Sequence, residues 1–353
     1  MRIPLLGICI AIWFVMTDLL GLSTLHAQEM GKPILHNYSP RDYNASSANY
    51  MAVQDRRGLL YFANLRGILE YDGANWRIIN VPNRSTVRSL ATDSTGIVYV
   101  GAIGDFGYLQ PDSMGRMQFV SFMPMVDIAD PLRNNQVVVL GTEKGAYFQI
   151  SGDSSYYHWK ANKLTRYPLK GFDSGFSLFY YGGKLLISSP STGLAEVKEG
   201  KIIIPDTPIL KDRYILDFLS YDENHYLAVT DLYQFWLINK DNQEVSRFET
   251  SLEKELKDLY FSGVLRLQDG KLLISTVRDG AIVLNQNGKE IIRLNESNGL
   301  QDRLIIDAFQ DKQGGVWLSL SKGITYLGMS VPLNVWDESN GLEGLRYRNV
   351  ETP

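Results

Sequence analysis

The sequence predicts an all-β fold, a seven-bladed β-propeller of four-stranded antiparallel blades, and three observations lead to this prediction. The hexapeptide GKLLIS occurs twice, at residues 183–188 and 270–275. The distance between the two copies corresponds to two repeat units of about 43 residues each. A turn motif recurs in three places: an aspartate is followed by a glycine three residues later and by an aromatic residue six residues later. Short apolar runs rich in β-branched and aromatic residues, bounded by Gly, Asp or Asn, are typical of strands joined by turns.

Turn positions divide the chain into seven units. Each contains a glycine or an asparagine, residues that tolerate the left-handed backbone conformation of tight turns. Repeats of this length with about four strands form propeller blades, and radial closure leaves no sheet edge to protect. Two stacked β-sandwiches are the alternative, which the regular period disfavours. The seven positions are Gly58, Gly96, Asn135, Gly183, Asn224, Gly270 and Gly315.

The aspartates of the repeated turn motif are predicted to be structural. Such a series could also indicate catalytic or metal-binding residues, but repetition at the same turn of different blades favours carboxylates that accept hydrogen bonds from turn amides. Outside the strands, only residues 251–260 are predicted to form a brief helix. The turn residues are Asp55 and Gly58, Asp93 and Gly96, and Asp311 and Gly314, and the aromatic residues of the motif are Tyr61, Tyr99 and Trp317.

Residues 1–27 have the layout of a cleavable signal peptide, with Arg2, an apolar run over 5–16 and the small residue Ala27 at the expected cleavage site. A retained membrane anchor is the alternative, but Asp18 interrupts the apolar run short of the roughly 20 residues that span a bilayer. We therefore predict export to the periplasm. The single cysteine, Cys9, lies in this peptide, so the exported chain is expected to have no disulfide and no cysteine-ligated metal.

The rest of the chain is predicted to comprise an N-terminal extended segment over 28–48, the propeller over 49–344 and a C-terminal tail over 345–353. The formal net charge of −4 implies no basic face and argues against nucleic acid as a partner. No second apolar stretch reaches spanning length, so no membrane span is expected after signal cleavage.

The N-terminal part of the chain resembles the two-component regulator propeller family. The resemblance is specific over residues 33–109 and continues at the level of the repeat to about residue 344. It is carried by residues 37–43 (NYSPRDY), 67–73 (GILEYDG), 88–90 (RSL), 96–101 (GIVYVG) and 106–109 (FGYL), together with Gln54, Asp55, Gly58, Tyr61, Phe62 and Trp76.

Proteins that the chain resembles are bacterial sensors. Their exported propellers precede a triple-tyrosine immunoglobulin-like domain, a transmembrane helix and a cytoplasmic histidine kinase or DNA-binding regulator, and many sense a carbohydrate or another extracellular cue. This sequence departs from that pattern, because it stops at Pro353 without those parts, and residues 340–344 look like the beginning of a further propeller. The resemblance therefore implies an input region that signals through a partner or through a missing C-terminal kinase or regulator half.

No catalytic residue, metal site or cofactor is predicted. The four histidines are scattered and lack the spacing of a metal site or of a base beside a nucleophile. The sequence has no phosphate loop, dinucleotide-binding glycine motif or helix–loop–helix calcium loop. An enzyme on this fold would need converging acid, base or metal groups, and two opposed carboxylates in a central pocket would indicate a lyase or a glycosidase.

Propeller geometry singles out one face for ligand binding. Because the first two strands of a blade meet at the aspartate-glycine turn, the loop after the second strand opens on the opposite face, beside the start of the innermost strand. Arginine, carboxylate and aromatic side chains in these loops suit sugars or carboxylated ligands. The candidate ligand-binding residues are Arg66, Arg88, Asp105, Phe106, Tyr233 and Arg278.

The sequence thus favours a sensor-type propeller that binds a carbohydrate, another small extracellular ligand or a signalling partner. A propeller enzyme and a structural interaction propeller without a small ligand are the alternatives, and a flat, apolar outer face would indicate the latter. The fold alone does not decide between them.

Overall fold

The computed structural model of the chain describes residues 34–126, 135–169 and 175–329. The predicted signal peptide over 1–27, residues 340–344 and the predicted tail over 345–353 lie outside the described residues. Within the described ranges, no helix is long and apolar enough to cross a membrane.

Seven four-stranded sheets confirm the predicted propeller. The first strands of neighbouring sheets contact one another and form the innermost ring around a central channel. Blade 1 contains β2 (Asn49–Gln54), β3 (Leu60–Asn64), β4 (Gly67–Tyr71) and β5 (Trp76–Ile79), and blade 2 contains β6 (Val87–Thr92), β7 (Val98–Ala102), β8 (Asp105–Pro111) and β9 (Met117–Ser121). Blade 3 contains β10 (Val137–Gly141), β11 (Ala146–Ile150), β12 (Ser155–Lys160) and β13 (Lys163–Pro168). Blade 4 contains β14 (Ser177–Tyr181), β15 (Lys184–Ser189), β16 (Gly193–Lys198) and β17 (Lys201–Ile203).

The remaining three blades complete the ring. Blade 5 contains β18 (Ile215–Ser220), β19 (His225–Thr230), β20 (Phe235–Asn239) and β21 (Val245–Phe248); blade 6 contains β22 (Phe261–Arg266), β23 (Leu272–Thr276), β24 (Ala281–Leu284) and β25 (Glu290–Leu294). Blade 7 contains β26 (Ile305–Gln310), β27 (Val316–Leu320), β28 (Gly323–Gly328) and, as its outer strand, β1 (Ile34–Tyr38). Part of the segment over 28–48 therefore belongs to the last blade, and both ends of the described chain close the ring.

Helices are few and short. Helix α1 (Pro40–Tyr43) lies between β1 and β2, and α2 (Leu256–Leu259) lies within the segment predicted to be helical. Two single turns of 3-10 helix cover Met123–Met125 and Glu296–Asn298.

The aspartate-glycine-aromatic motif folds in the same way in blades 1, 2 and 7. One carboxylate oxygen accepts the backbone amides two and four residues later, and the other accepts a hydrogen bond from the aromatic side chain six residues later, which explains the spacing of the motif. The glycines have φ between +86° and +90°, which disfavours any other residue. The aromatic donors are Tyr61 to Asp55 (3.3 Å), Tyr99 to Asp93 (3.1 Å) and Trp317 to Asp311 (2.8 Å).

The third blade departs from the predicted turn position. Asn135 precedes β10, whereas the turn after this strand lies at residues 142–145, because Gly141 pairs with Ala146. The prediction was wrong because the apolar run that follows Asn135 is the inner strand β10 and not a second strand. Its glycine is Gly145, with φ of +132°.

The hydrophobic core lies between neighbouring sheets. Second strands such as β7 and β23 are buried along their whole length, because strands flank them within the sheet and another sheet covers each side. Their near-continuous apolar runs, including the repeated hexapeptide, follow from this position. Tyr99 and Phe148, for example, join blades 2 and 3 with ring centroids 6.2 Å apart. Burial of each large apolar side chain contributes about 1.5–3 kcal/mol.

Candidate ligand-binding face

A repeated backbone hydrogen bond builds one side of the propeller. In blades 1, 2, 5, 6 and 7, the first amide after the second strand donates to the carbonyl directly before the inner strand. Each loop therefore lies beside the start of the inner strand, and we call this side, with the connections that lead into the inner strands, the loop face. The pairs are Leu65 N to Ala48 O (3.4 Å), Ile103 N to Thr86 O (2.9 Å), Asp231 N to Tyr214 O (2.9 Å), Val277 N to Tyr260 O (2.9 Å) and Ser321 N to Leu304 O (3.3 Å). Blade 3 has the same hydrogen bond, from Ser151 N to Gln136 O (2.9 Å).

The inner strands of the same five blades carry a bulge at their second residue, close to the loop face. A bulged residue is left unpaired in the ladder and can be aimed away from the sheet. Neighbouring bulges touch, because the guanidinium carbon of Arg88 lies 4.0 Å from the ring centroid of Tyr50. The bulged residues are Tyr50, Arg88, Leu216, Ser262 and Ile306.

Exposed apolar side chains mark the loop face of blades 5 and 6. Tyr214 and Tyr260 directly precede the inner strands of these two blades, Leu216 is a bulged residue, and Leu232 lies in the loop after β19. Their side chains are between 46% and 53% exposed. A group of exposed apolar residues beside polar groups indicates a binding surface.

Arg278 and Tyr260 form a preorganised pair at this place. The guanidinium carbon of Arg278 lies 4.1 Å from the ring centroid of Tyr260, a cation–π geometry. Arg278 Nη1 donates to the carbonyl oxygen of Asp258 at 3.2 Å. The Arg278 amide donates to Leu259 O, which fixes the backbone next to Tyr260. The φ of Tyr260 is +55°, an unusual conformation for a tyrosine and one that the surrounding hydrogen bonds must hold.

Four of the six predicted ligand-binding residues lie on the loop face, in two groups. Arg66 is exposed in the loop after β3, and Arg88 is half-buried on Tyr50. Arg278 is exposed in the loop after β23, and Tyr233, with φ of +57°, is half-buried against the core of blades 5 and 6. The structure therefore places one pair on blades 1 and 2 and the other on blades 5 and 6.

Asp105 and Phe106 require a correction, because both are buried. Asp105 accepts hydrogen bonds from Ser121 Oγ (2.6 Å) and Phe106 N (2.8 Å), and burial raises the pKa of its carboxyl group. Phe106 packs in the core against Phe148, with ring centroids 4.9 Å apart. The loop after β7 comprises only residues 103–104, so these side chains already belong to the third strand and offer no surface to a ligand.

Tyr50, Tyr214, Leu216 and Tyr260 were absent from the predicted set. In the sequence they belong to apolar runs at the start of inner strands, where alternation predicts burial. The bulge that redirects Tyr50 and Leu216 depends on pairing with the second strand and has no local signature. A usable signal was the tyrosine directly before the inner strand in two successive blades, at 214 and 260.

In blades 2, 5 and 7, the side chain of the residue after the bulge joins the inner strand to that of a neighbouring blade. Asp307 Oδ2 accepts a hydrogen bond from Ala52 N at 3.3 Å, which connects blade 7 to blade 1. In the same position, Asp217 Oδ2 accepts from Val264 N at 2.8 Å, and Ser89 Oγ accepts from Val139 N at 3.0 Å. These side chains thus connect inner strands of different blades through hydrogen bonds.

The two channel carboxylates bind protons more tightly than an exposed aspartate does. Burial, with smaller help from the charge of Asp217, raises the pKa of Asp307 to about 7. Burial also raises the pKa of Asp217, which lines a cavity of about 690 Å³ in the channel together with Met51 and Leu178. Raised pKa values suit acid–base catalysis as well as a structural role. In the ranges that the structure describes, no three His, Cys, Asp or Glu side chains are grouped to hold a metal ion.

A second apolar surface lies at the outer edge of blade 4. Ile203, at the end of β17, and the following Ile204 are about half exposed. Ile203 borders a cavity of about 340 Å³ between blades 4 and 5, together with Leu194 and Ile209. An apolar outer edge of this kind is the feature expected of a structural interaction propeller, the alternative without a small ligand.

No protein-family model and no curated protein matches the sequence. Solved structures do resemble the fold. A streptogramin B lyase structure has a TM-score of 0.63 at 12% identity, over 83% of this chain and 97% of that one.

The extracellular domains of two proteins from B. thetaiotaomicron are also similar. That of the putative hybrid two-component system BT3049 has a TM-score of 0.63 at 14% identity, over 84% of this chain and 42% of that one. That of the putative hybrid two-component system BT4673 has a TM-score of 0.59 at 14% identity, over 83% and 39%. The chain thus spans less than half the length of either extracellular domain. At these identities the likeness shows the propeller fold, and membership of the two-component regulator propeller family stays a prediction.

Proposed function

We propose that the chain is the ligand-recognising propeller of an exported, periplasmic sensor, and that a carbohydrate docks on the loop face of blades 5 and 6. The observation that carries this proposal is the Arg278–Tyr260 pair, which a set of exposed apolar side chains accompanies. Aromatic faces pack against the C–H faces of sugar rings, and an arginine offers several directed donors to hydroxyl or carboxylate oxygens. The pair is already formed without a ligand, which reduces the ordering cost of binding.

The similar extracellular domains of putative two-component systems support a sensor role for the same fold. Signalling requires an output, for which we propose a partner protein or a C-terminal kinase or regulator half. The loop face is the surface where ligand binding could be coupled to such an output, because its loops are hydrogen-bonded to the inner ring.

A glycan array probed with the chain lacking residues 1–27 tests this proposal. We expect neutral or acidic oligosaccharides to bind, and we expect Tyr260→Ala to weaken their binding by about tenfold, the loss of one aromatic contact. Met114→Ala is the matched control, because Met114 is 74% exposed in a turn on the opposite side of blade 2. The absence of any bound glycan, or equal losses in both variants, would refute the proposal.

A second candidate function is acid–base catalysis in the channel, as in a lyase or glycosidase. It is favoured by the raised pKa values of Asp217 and Asp307 and by the likeness to a streptogramin B lyase structure. The inter-blade hydrogen bonds of both carboxylates already account for their positions. If the channel were catalytic, an oligosaccharide found on the array would be cleaved by the wild-type chain and left intact by Asp307→Asn. Binding without cleavage supports the sensor.

A further inference from the structure

The arginines of the loop face differ in their partners from those of the outer strands. In the described ranges, the arginines that form ion pairs lie on outer strands or on the turns opposite the loop face: Arg57, Arg77, Arg116, Arg166, Arg247 and Arg293. Arginines of the loop face form no ion pair with any described carboxylate: Arg41, Arg66, Arg84, Arg88, Arg213, Arg278 and Arg303. Arg56 and Arg266 also lack such a partner and lie towards the opposite side.

The unpaired arginines of the loop face follow the ring of blades without a gap. They occur on blades 5, 6, 7, 1 and 2, which are successive neighbours around the propeller. All of them are exposed except Arg88, which is half-buried. In ring order they are Arg213 before blade 5, Arg278 in blade 6, Arg303 before blade 7, Arg41 before blade 1, Arg66 in blade 1, Arg84 before blade 2 and Arg88 in blade 2.

Two of these arginines are held in place with donors to spare. Arg278 and Arg88 each lie on a tyrosine ring, and the Nε of Arg88 is buried without a hydrogen-bond partner among the described residues. A shielded donor without an acceptor costs free energy, which a ligand oxygen would recover. The two sites can thus take an acceptor that the described part of the chain does not supply.

Carboxylates are unevenly distributed along this arc. In the loops after the second strands of the five blades, the acidic residues are Asp231 and Asp279, and Asp279 pairs with Arg293 at 2.9 Å. The connections into blades 5 and 6 carry six further carboxylates, which outnumber the arginines there, although Glu253 and Glu255 pair with Arg247 and Arg293: Asp206, Asp212, Glu249, Glu253, Glu255 and Asp258. The connections into blades 7 and 1 carry only Glu296, Asp302 and Asp42, and the connection into blade 2 carries none. The potential should therefore be strongest over blades 7, 1 and 2. A net charge of −4 does not reveal this face, because the sum ignores where the charges lie.

We propose that the loop face binds an extended polyanionic carbohydrate, whose carboxylate or sulfate groups pair with the arginines of blades 5, 6, 7, 1 and 2. This inference rests on the proposed carbohydrate sensing and narrows its ligand class. Arginine binds carboxylate and sulfate oxygens through two parallel N–H donors, and these donors recur over five blades. A small anion would occupy one such position, whereas a charged chain can occupy several at once.

Calorimetric titration of the chain lacking residues 1–27 tests the inference with three oligosaccharides of equal length. The probes are a sulfated heparin fragment, a carboxylated oligogalacturonate and a neutral malto-oligosaccharide. We expect at least one anionic probe to bind, and the better one identifies the anionic group. Its affinity should exceed that of the neutral probe about tenfold or more and fall about tenfold between roughly 50 and 200 mM salt.

Matched arginine variants separate this inference from the proposed function. Arg66→Gln and Arg278→Gln should each weaken the anionic probe about fivefold. Arg116→Gln, which removes a paired arginine on the opposite side, should leave binding unchanged. Thermal melting verifies that each variant is folded.

Several outcomes would overturn the inference. They are equal affinity for the neutral probe, the absence of a salt effect, no loss in either loop-face variant, or no binding of any probe. Binding to phosphatidylglycerol vesicles without binding to an oligosaccharide would also overturn it. If the neutral probe binds and Tyr260→Ala alone weakens it, the carbohydrate sensor stands and the polyanion inference fails.

Discussion

The indole Nε1 of Trp317 donates a hydrogen bond of 2.8 Å to Oδ2 of Asp311, inside the core of the last blade. The other carboxylate oxygen accepts the amides of Gln313 and Gly315, so one side chain fixes a turn and an aromatic ring. We expect Asp311→Ala to lower the free energy of unfolding by about 2–4 kcal/mol, because it leaves buried donors without an acceptor. Urea unfolding followed by tryptophan fluorescence measures this loss.

The matched control for this turn is Asp112→Ala. Asp112 accepts the amides of Met114 and Arg116 in a turn of the same kind, but that turn is solvent-exposed and has no aromatic donor. Water can replace its hydrogen bonds, so the loss should be clearly smaller than for Asp311→Ala. Equal losses of unfolding free energy would show that the buried indole hydrogen bond adds nothing to stability beyond what an exposed turn contributes.

Closure of the ring should depend on Tyr38, the last residue of β1. Its hydroxyl lies 3.2 Å from that of Tyr71, and its ring stacks on Trp317 with centroids 5.8 Å apart. We expect Tyr38→Ala to lower the free energy of unfolding by about 2–3 kcal/mol, since a half-buried aromatic side chain is removed from the junction of blades 7 and 1. Calorimetric melting compares it with Met114→Ala, whose exposed side chain should matter little. An unchanged melting temperature for Tyr38→Ala would contradict a role of β1 in closure.

The sequence predicted the number of blades because the turn motif is local. Asp55, Asp93 and Asp311 reveal their role through spacing alone, since each carboxylate binds atoms within six residues of itself. The outer strand of blade 7 was not predictable in this way. Residues 34–38 pair with residues 323–328, and pairing between segments so distant in the chain has no local sequence signature in either of them. The position of Asn135 was predicted wrongly because the apolar run after it, the inner strand β10, resembles a second strand in sequence.

The candidate site was less predictable than the fold, because it depends on where each strand begins. The sequence predicts Asp105 and Phe106 in a loop, but this loop has only two residues, so both lie in β8, where they are buried. Tyr260 and Leu216 were missed because apolar residues next to an inner strand usually face the core. Their exposure follows from the hydrogen bond of the neighbouring loop and from the bulge, which involve residues distant in sequence.

Gly107 is predicted to be irreplaceable for a steric reason alone. A Cβ atom at this position in β8 would lie 1.9 Å from the carbonyl oxygen of Val120 in the neighbouring strand, which backbone movement must relieve. We expect Gly107→Ala to lower the free energy of unfolding by about 2–4 kcal/mol, the range of severe overpacking. The control is Gly115→Ala, where no atom lies within 4 Å and only the φ of +79° is unfavourable, so its loss should be about 1 kcal/mol. A smaller loss for Gly107→Ala than for Gly115→Ala would refute the steric argument.

The stability of the ring is predicted to fall as the pH rises, through Asp307. Burial raises the pKa of this carboxyl group from 3.8 to about 7, so between these values the folded protein keeps a proton that the unfolded chain has released. The folded state then binds more protons than the unfolded state, and the free energy of unfolding decreases with rising pH. Asp307→Asn retains an oxygen that can accept from Ala52 N but cannot ionise.

The wild type should therefore lose about 1–3 kcal/mol relative to Asp307→Asn between about pH 4 and pH 7, as measured by urea unfolding at several pH values. Asp72→Asn is a control without an effect in this range, because hydrogen bonds from Asn75 and Ala74 lower the pKa of Asp72 below 3.8, so its curve should run parallel to that of the wild type between about pH 4 and pH 7. Parallel curves for the wild type and Asp307→Asn would contradict the raised pKa. Since the charge of Asp217 contributes to that shift, Asp217→Asn should move the stability loss to lower pH.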